Sequence, residues 1–268
     1  MDHLSNDQFA RRRFPHINNI VFSEEKIIHK PNSMACPNLI FLAFLITLSS
    51  IKPTNSVDFS VTNAAGNTAG GTRFDQEIGI SKAENTLKIA TDFILKTFQQ
   101  QDADADADIK TVHKIRLVID AEYDIVSYTS GTDIFIAANY IAEYPGDLRN
   151  EFAGILYQEL TKVWQWTGNG EAPAGLIEGV AEFVRLKSGF VPGEWAAAGD
   201  GERWDEGGGG VTARFLEYLE GLGSGFVAEL NRKMRNGYSE DYFVELMAAT
   251  ADELWAEYKA EYGKIIKY

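Results

Sequence analysis

Between Gly154 and Trp166 the chain reads Gly-Ile-Leu-Tyr-Gln-Glu-Leu-Thr-Lys-Val-Trp-Gln-Trp, with residues 158 and 162 on either side of Glu159. Residues four apart on a helix project side by side. Two imidazoles at that spacing hold one zinc ion, and a glutamate between them takes a proton from the zinc-bound water. This chain has the glutamate and neither imidazole. Gln158 offers a neutral amide, a poor zinc donor beside imidazole. Lys162 offers a protonated ammonium, which has no lone pair and repels a divalent cation. Two lost ligands and a gained positive charge predict that zinc is lost and that Glu159 is a vestigial general base.

A third ligand for such a site comes from elsewhere in the chain. The segment Gly175-Leu-Ile-Glu-Gly-Val-Ala-Glu-Phe-Val-Arg185 sets Glu178 and Glu182 four apart, with Glu178 the first choice because the small Gly179 beside it permits close helix approach. With no metal, these acids and Glu159 would share a cavity with nothing to neutralise them. Lys162 therefore pairs with Glu178, Glu159 or both, an internal cation in the zinc seat. The competing reading has Lys162 reaching out to solvent over a wet cavity. An enzyme reading survives as an atypical metal set of Gln158, Glu178 and Glu182.

Other chemistry finds less support. His113 lies in a strand-like stretch, apart from any serine or cysteine motif, and no Gly-x-Ser-x-Gly elbow is present. Glu159 with Glu182 as a glycosidase pair would need a carboxylate separation that sequence does not give. The stretch Glu206-Gly-Gly-Gly-Gly210 lacks the Lys-Ser/Thr ending of a phosphate loop and reads as a plain loop. Trp164, Trp166, Trp195 and Trp204 line a groove or, for at least two of them, fill the core.

The elements that must position these groups follow from periodicity. Val57 to Thr62 alternates as a strand, Ala64 to Gly71 reads as a loop, and Ile80 to Gln101 has helical spacing. The alternating aspartates from Asp102 to Asp108 lack the glycine and terminal glutamate of a calcium loop and read as a solvated loop. Strands are expected over Val112 to Ile119, Tyr123 to Thr129 and Thr132 to Ile136, the last two as an antiparallel hairpin around Ser130-Gly131. Helices follow near Leu148 to Trp166, Ala174 to Ser188, Val211 to Leu222, Gly225 to Arg235, Ser239 to Ala248 and Ala251 to Tyr262. A small antiparallel or mixed sheet followed by a helical C-terminal half makes the fold α+β.

The chain has 268 residues, 25 Lys and Arg against 39 Asp and Glu, and a formal net charge of −14. So acidic a surface argues against nucleic acid and anionic membranes as partners. Leu39 to Leu48 is an uncharged apolar run, shorter than the roughly 20 residues a membrane helix needs. It fits the core of a secretory signal over 34–56 with Met34 as start, leaving 1–33 as an upstream extension and 57–268 as one domain. Removing that signal takes away Cys36, His3, His16 and His29, so the remaining chain has no disulfide and only His113. No Asn-x-Ser/Thr acceptor follows Ser56, so N-glycans are not expected.

Several ordered motifs resemble the plant basic secretory protein family. They are Leu156 to Trp166, Gly175-Leu-Ile-Glu-Gly179, Arg203-Trp-Asp205, Val211 to Leu216, Gly225 to Asn231 and Leu254 to Lys259. The resemblance runs from about Val57 to the end. It implies a secreted, apoplastic zincin-like peptidase domain linked to plant defence, with zinc as cofactor, His-Glu-x-x-His at 158, 159 and 162, and a carboxylate ligand at Glu178. Neither histidine carries over, and the chain is acidic where the family name promises a basic protein. The expectation is a monomeric, catalytically silent homologue. It would act, if at all, by binding a peptide or protein, for instance an extended peptide along a sheet edge near Thr132 to Ala138.

Overall fold

A computed structural model of the chain describes residues 57–100, 109–122 and 124–262. The extension and signal expected over 1–56, the aspartate loop from Asp102 to Asp108 and the last six residues lie outside these. Four strands and nine helices are present among the described residues: β1 Asp58–Asn63, α1 Ala69–Glu77, α2 Ile80–Thr97, β2 Lys114–Asp120, β3 Ser127–Ser130, β4 Asp133–Ala137, α3 Ala138–Glu143, α4 Leu148–Trp164, α5 Ala174–Ser188, α6 Val211–Leu222, α7 Phe226–Lys233, α8 Asp241–Met247 and α9 Ala251–Tyr262. The sheet is mixed, in the order β1-β2-β4-β3. β1, β2 and β4 run parallel, and β3 is antiparallel to β4. The α+β architecture stands.

Strand alternation puts Ile115, Leu117, Ile119, Ile134 and Ile136 on one face, all fully buried. Helices α2 and α4 pack together on that side, and α5 and α6 extend the core toward the C-terminal aromatic cluster of Trp204, Phe215, Phe243 and Tyr258.

Two segments differ from expectation. The stretch read as a loop to Gly71 already turns helical at Ala69, with Thr68 capping α1 by accepting from the Gly71 backbone N–H at 3.0 Å. Its glycines serve packing. A Cβ at Gly70 would lie 1.7 Å from the carbonyl oxygen of Ala138, so only glycine lets α1 approach α3. Arg73 then closes the C-terminus of α3 by donating to the carbonyls of Ile141 and Tyr144 at 2.9 and 2.8 Å.

The segment Thr132 to Ala138 is not a sheet edge. β4 lies between β2 and β3, because the chain crosses first to the far side and the hairpin returns it into the gap. The strand beyond it, β3, forms the border. It covers only the end of the expected Tyr123 to Thr129 strand.

Candidate functional site

Helix α4 starts where Asp147 accepts from the backbone N–H of Arg149 and Asn150, and it ends at extended Gln165. Helix α5 starts after Pro173 and ends on the left-handed Gly189. Between them lie residues 165–173, so the two helices pack side by side. Gly154 makes room on α4 for Arg185, whose Nε would be 2.6 Å from any Cβ there. Gly179 faces the other way, onto Thr212 of α6, and it is not the residue that brings α5 to α4.

The Lys162 ammonium sits between two carboxylates, 3.1 Å from Glu159 Oε1 and 2.9 Å from Glu178 Oε2. Its side chain is 22% exposed, that of Glu178 31%, and that of Glu159 only 2%. Burial works against the charge on Lys162, but Glu159 and Glu178 outweigh it and hold its pKa above the ordinary lysine value. The ammonium is therefore charged throughout the neutral range.

Glu159 accepts three side-chain hydrogen bonds. Its Oε1 accepts from Ser127 Oγ at 2.9 Å as well as from Lys162, and its Oε2 accepts from Thr129 Oγ1 at 2.7 Å. Ser127 and Thr129 stand two apart on β3, so both hydroxyls face the helix while Tyr128 stacks on Phe135 across the sheet. A general base needs a lone pair free for water. Here a cation and a hydroxyl share Oε1 and a second hydroxyl holds Oε2, so three of the roughly four acceptor positions are in use.

Gln158 is turned so that its Nε2 donates to Glu178 Oε1 at 2.5 Å, while its Oε1 accepts from Arg185 Nη1 at 3.2 Å. The atom able to ligate a metal is thus turned to Arg185 and away from the Glu178 carboxylate that the amide nitrogen meets. Behind it, Arg185 pairs with Glu151 at 2.7 Å, and Tyr140 donates to the other Glu151 oxygen at 2.9 Å. The pair is almost fully buried, with side-chain exposures of 5% and 7%. One hydrogen-bonded chain runs from Tyr140 through both helices to the hydroxyls of β3.

Glu182 belongs to another contact. It is 3% exposed and accepts from the backbone N–H of Gly210 at 3.1 Å, anchoring the glycine-rich stretch to α5. Burial pushes its pKa up to about 7, opposed by the Gly210 N–H and assisted by the nearby Glu178 charge. His113 is exposed just ahead of β2. Trp164 and Trp204 are buried, while Trp166 and Trp195 are partly exposed, Trp166 beneath Lys110 and Arg235 and Trp195 beneath Arg185.

Zinc does not fit this donor set. An ammonium lies where the ion would have to sit, the amide oxygen is turned aside, and Glu182 is engaged elsewhere. Ser127, Thr129, Glu151 and Arg185 belong to no recognisable sequence motif. Glu151, Gln158 and Lys162 along α4, with Glu178 and Arg185 seven apart on α5, are the signal that reveals the helix-borne pair.

Residues 54–258 match the family described as peptidase of plants and bacteria, BSP. The chain belongs to the BSP family. Over 60 residues it is 48% identical to a basic secretory protease of Boswellia serrata, a stretch covering 22% of this chain and 67% of that protein. No solved structure matches the chain. Among the described residues no helix is long and apolar enough to cross a membrane.

Proposed function

We propose that this BSP-family protein is a zincin-like peptidase homologue that has given up zinc and cleavage and acts by binding an extended peptide. The observation that carries the reading is the Lys162 ammonium between Glu159 and Glu178. It neutralises the acids that would otherwise require an ion, and it occupies the catalytic glutamate. A peptide site is supported by β3, the border strand of the sheet among the described residues. The bond from Ala137 N–H to the Val126 carbonyl, 3.0 Å long, fixes the ladder phase. Alternation along the hairpin then leaves the main-chain groups of Ser127 and Thr129 facing outward beside Glu159. An added strand pairs with such groups. Ile125 and Val126, both exposed, extend the border with an apolar step.

Secretion accords with the name of the Boswellia relative and with the apolar run before Ser56, and a defence role in the apoplast is part of the proposal on the family resemblance alone. The test offers unfolded protein substrates and an extended-peptide library to the purified protein, with added zinc and with chelator. The expected result is no turnover in either condition, and peptide binding that survives chelation and protects the Ser127 and Thr129 amides from hydrogen exchange. Cleavage that a chelator abolishes would overturn the proposal in favour of the atypical metal set.

A further inference from the structure

The chain contains two Asn-Gly dipeptides, Asn169-Gly170 and Asn236-Gly237. Asparagine before glycine is the pairing in which the next backbone nitrogen most easily reaches the side-chain amide, since glycine puts no Cβ in its way. Yet the two are held differently. Asn169 lies in a 3-10 turn, its side-chain amide donates to the Asn236 carbonyl at 2.9 Å, and the Gly170 N–H donates to the Thr167 carbonyl at 3.0 Å. Both the electrophile and the nucleophile are occupied. Asn236 is exposed in the bend after α7, and neither its side chain nor the Gly237 N–H makes a hydrogen bond among the described residues.

We infer that Asn236 is a self-modification site, converting by backbone-assisted deamidation while Asn169 is protected by its turn. The Gly237 backbone nitrogen attacks Asn236 Cγ, forming an N–C bond. The Cγ–Nδ2 bond breaks, and ammonia leaves carrying the proton given up by that nitrogen. Water then opens the succinimide at either carbonyl, giving aspartate or isoaspartate. No oxidant or reductant is needed, and the only co-reactant is water.

The position gives the change a consequence. Residues 234–238 hold the linker between the two site helices by three bonds. Gly168 N–H donates to the Met234 carbonyl at 2.9 Å, Asn169 donates to the Asn236 carbonyl, and Tyr238 N–H donates to Glu171 Oε2 at 3.4 Å. Isoaspartate routes the main chain through the former side chain and lengthens it by a methylene. That displaces both the Asn236 carbonyl and the Tyr238 N–H. It also sets a new carboxylate near Glu171, whose Oε2 already approaches Gly237 and Tyr238. Modification therefore loosens the junction that spaces Gln158 and Lys162 from Glu178.

Peptide mapping by mass spectrometry after incubating the folded protein at mildly alkaline pH tests the inference, with a denatured sample run beside it. In the folded protein, residue 236 is expected to accumulate as aspartate and isoaspartate while Asn169 stays intact; in denaturant both convert. Asn236→Gln should abolish the conversion. Asn169 keeping pace with Asn236 in the folded protein, or Asn236 staying intact while it converts in denaturant, would overturn it. The isoaspartyl fraction should melt below Asn236→Asp, which carries the same charge on a normal backbone. Equal melting would overturn the loosening.

Discussion

Replacing Lys162 with methionine keeps the length and removes the charge, leaving Glu159 and Glu178 without their shared cation. Taking one partner from a buried pair costs about 3–5 kcal/mol. Two features of the structure reduce that here. Lys162 and Glu178 are 22% and 31% exposed, so water screens their half of the cluster. Glu159, at 2% exposure, keeps the hydroxyls of Ser127 and Thr129. The expected loss is about 2–3 kcal/mol, which lowers the melting temperature by about 4–12 °C for a chain of this size. Urea and thermal unfolding read it directly. A double-mutant cycle with Glu178→Gln isolates the pair, and a coupling of about 1–2 kcal/mol is expected. A Lys162→Met protein as stable as the parent at neutral pH, with no coupling to Glu178, would refute the reasoning and put the ammonium in solvent.

Glu182 predicts a pH dependence. Its pKa of about 7 lies above the ordinary 4.5, so the fold disfavours the ionised form. Its contribution to stability is fully present below the ordinary value and is lost as pH rises toward 7, by up to roughly 3 kcal/mol; Glu182→Gln should remove this part of the pH dependence of the denaturation midpoint. Thr129→Val leaves Glu159 Oε2 without its donor and should cost about 1–3 kcal/mol in urea unfolding. Gly70→Ala drives a methyl into the Ala138 carbonyl and should cost about 3 kcal/mol or more, seen as a lower urea midpoint with unchanged slope.

The helical half was readable because its signals are local. Pro173 and Gly189 bracket α5, and apolar spacing with short breaks marks the helices after it. The ammonium at 162 followed from residue type at a known helical spacing. What sequence did not disclose depends on pairing at a distance. Ser127 and Thr129 reach Glu159 only because the hairpin inserts β4 between β2 and β3, an order that alternation within each strand does not encode. The same insertion moves the open border from β4 to β3. Helix α1 was hidden because Gly70 and Gly71 read as loop residues, whereas they are needed for close contact with Ala138 and Ala65. Arg185 lies in the last turn of α5, where a cation is commonplace, and its berth is made by Gly154, 31 positions earlier.

The most direct test is zinc titration calorimetry on the purified protein beside the variant carrying Gln158→His and Lys162→His. No binding heat is expected from the parent and stoichiometric zinc uptake from the variant, because on the proposed reading only the ligands and the resident cation differ. Stoichiometric zinc in the parent would contradict the account at its centre.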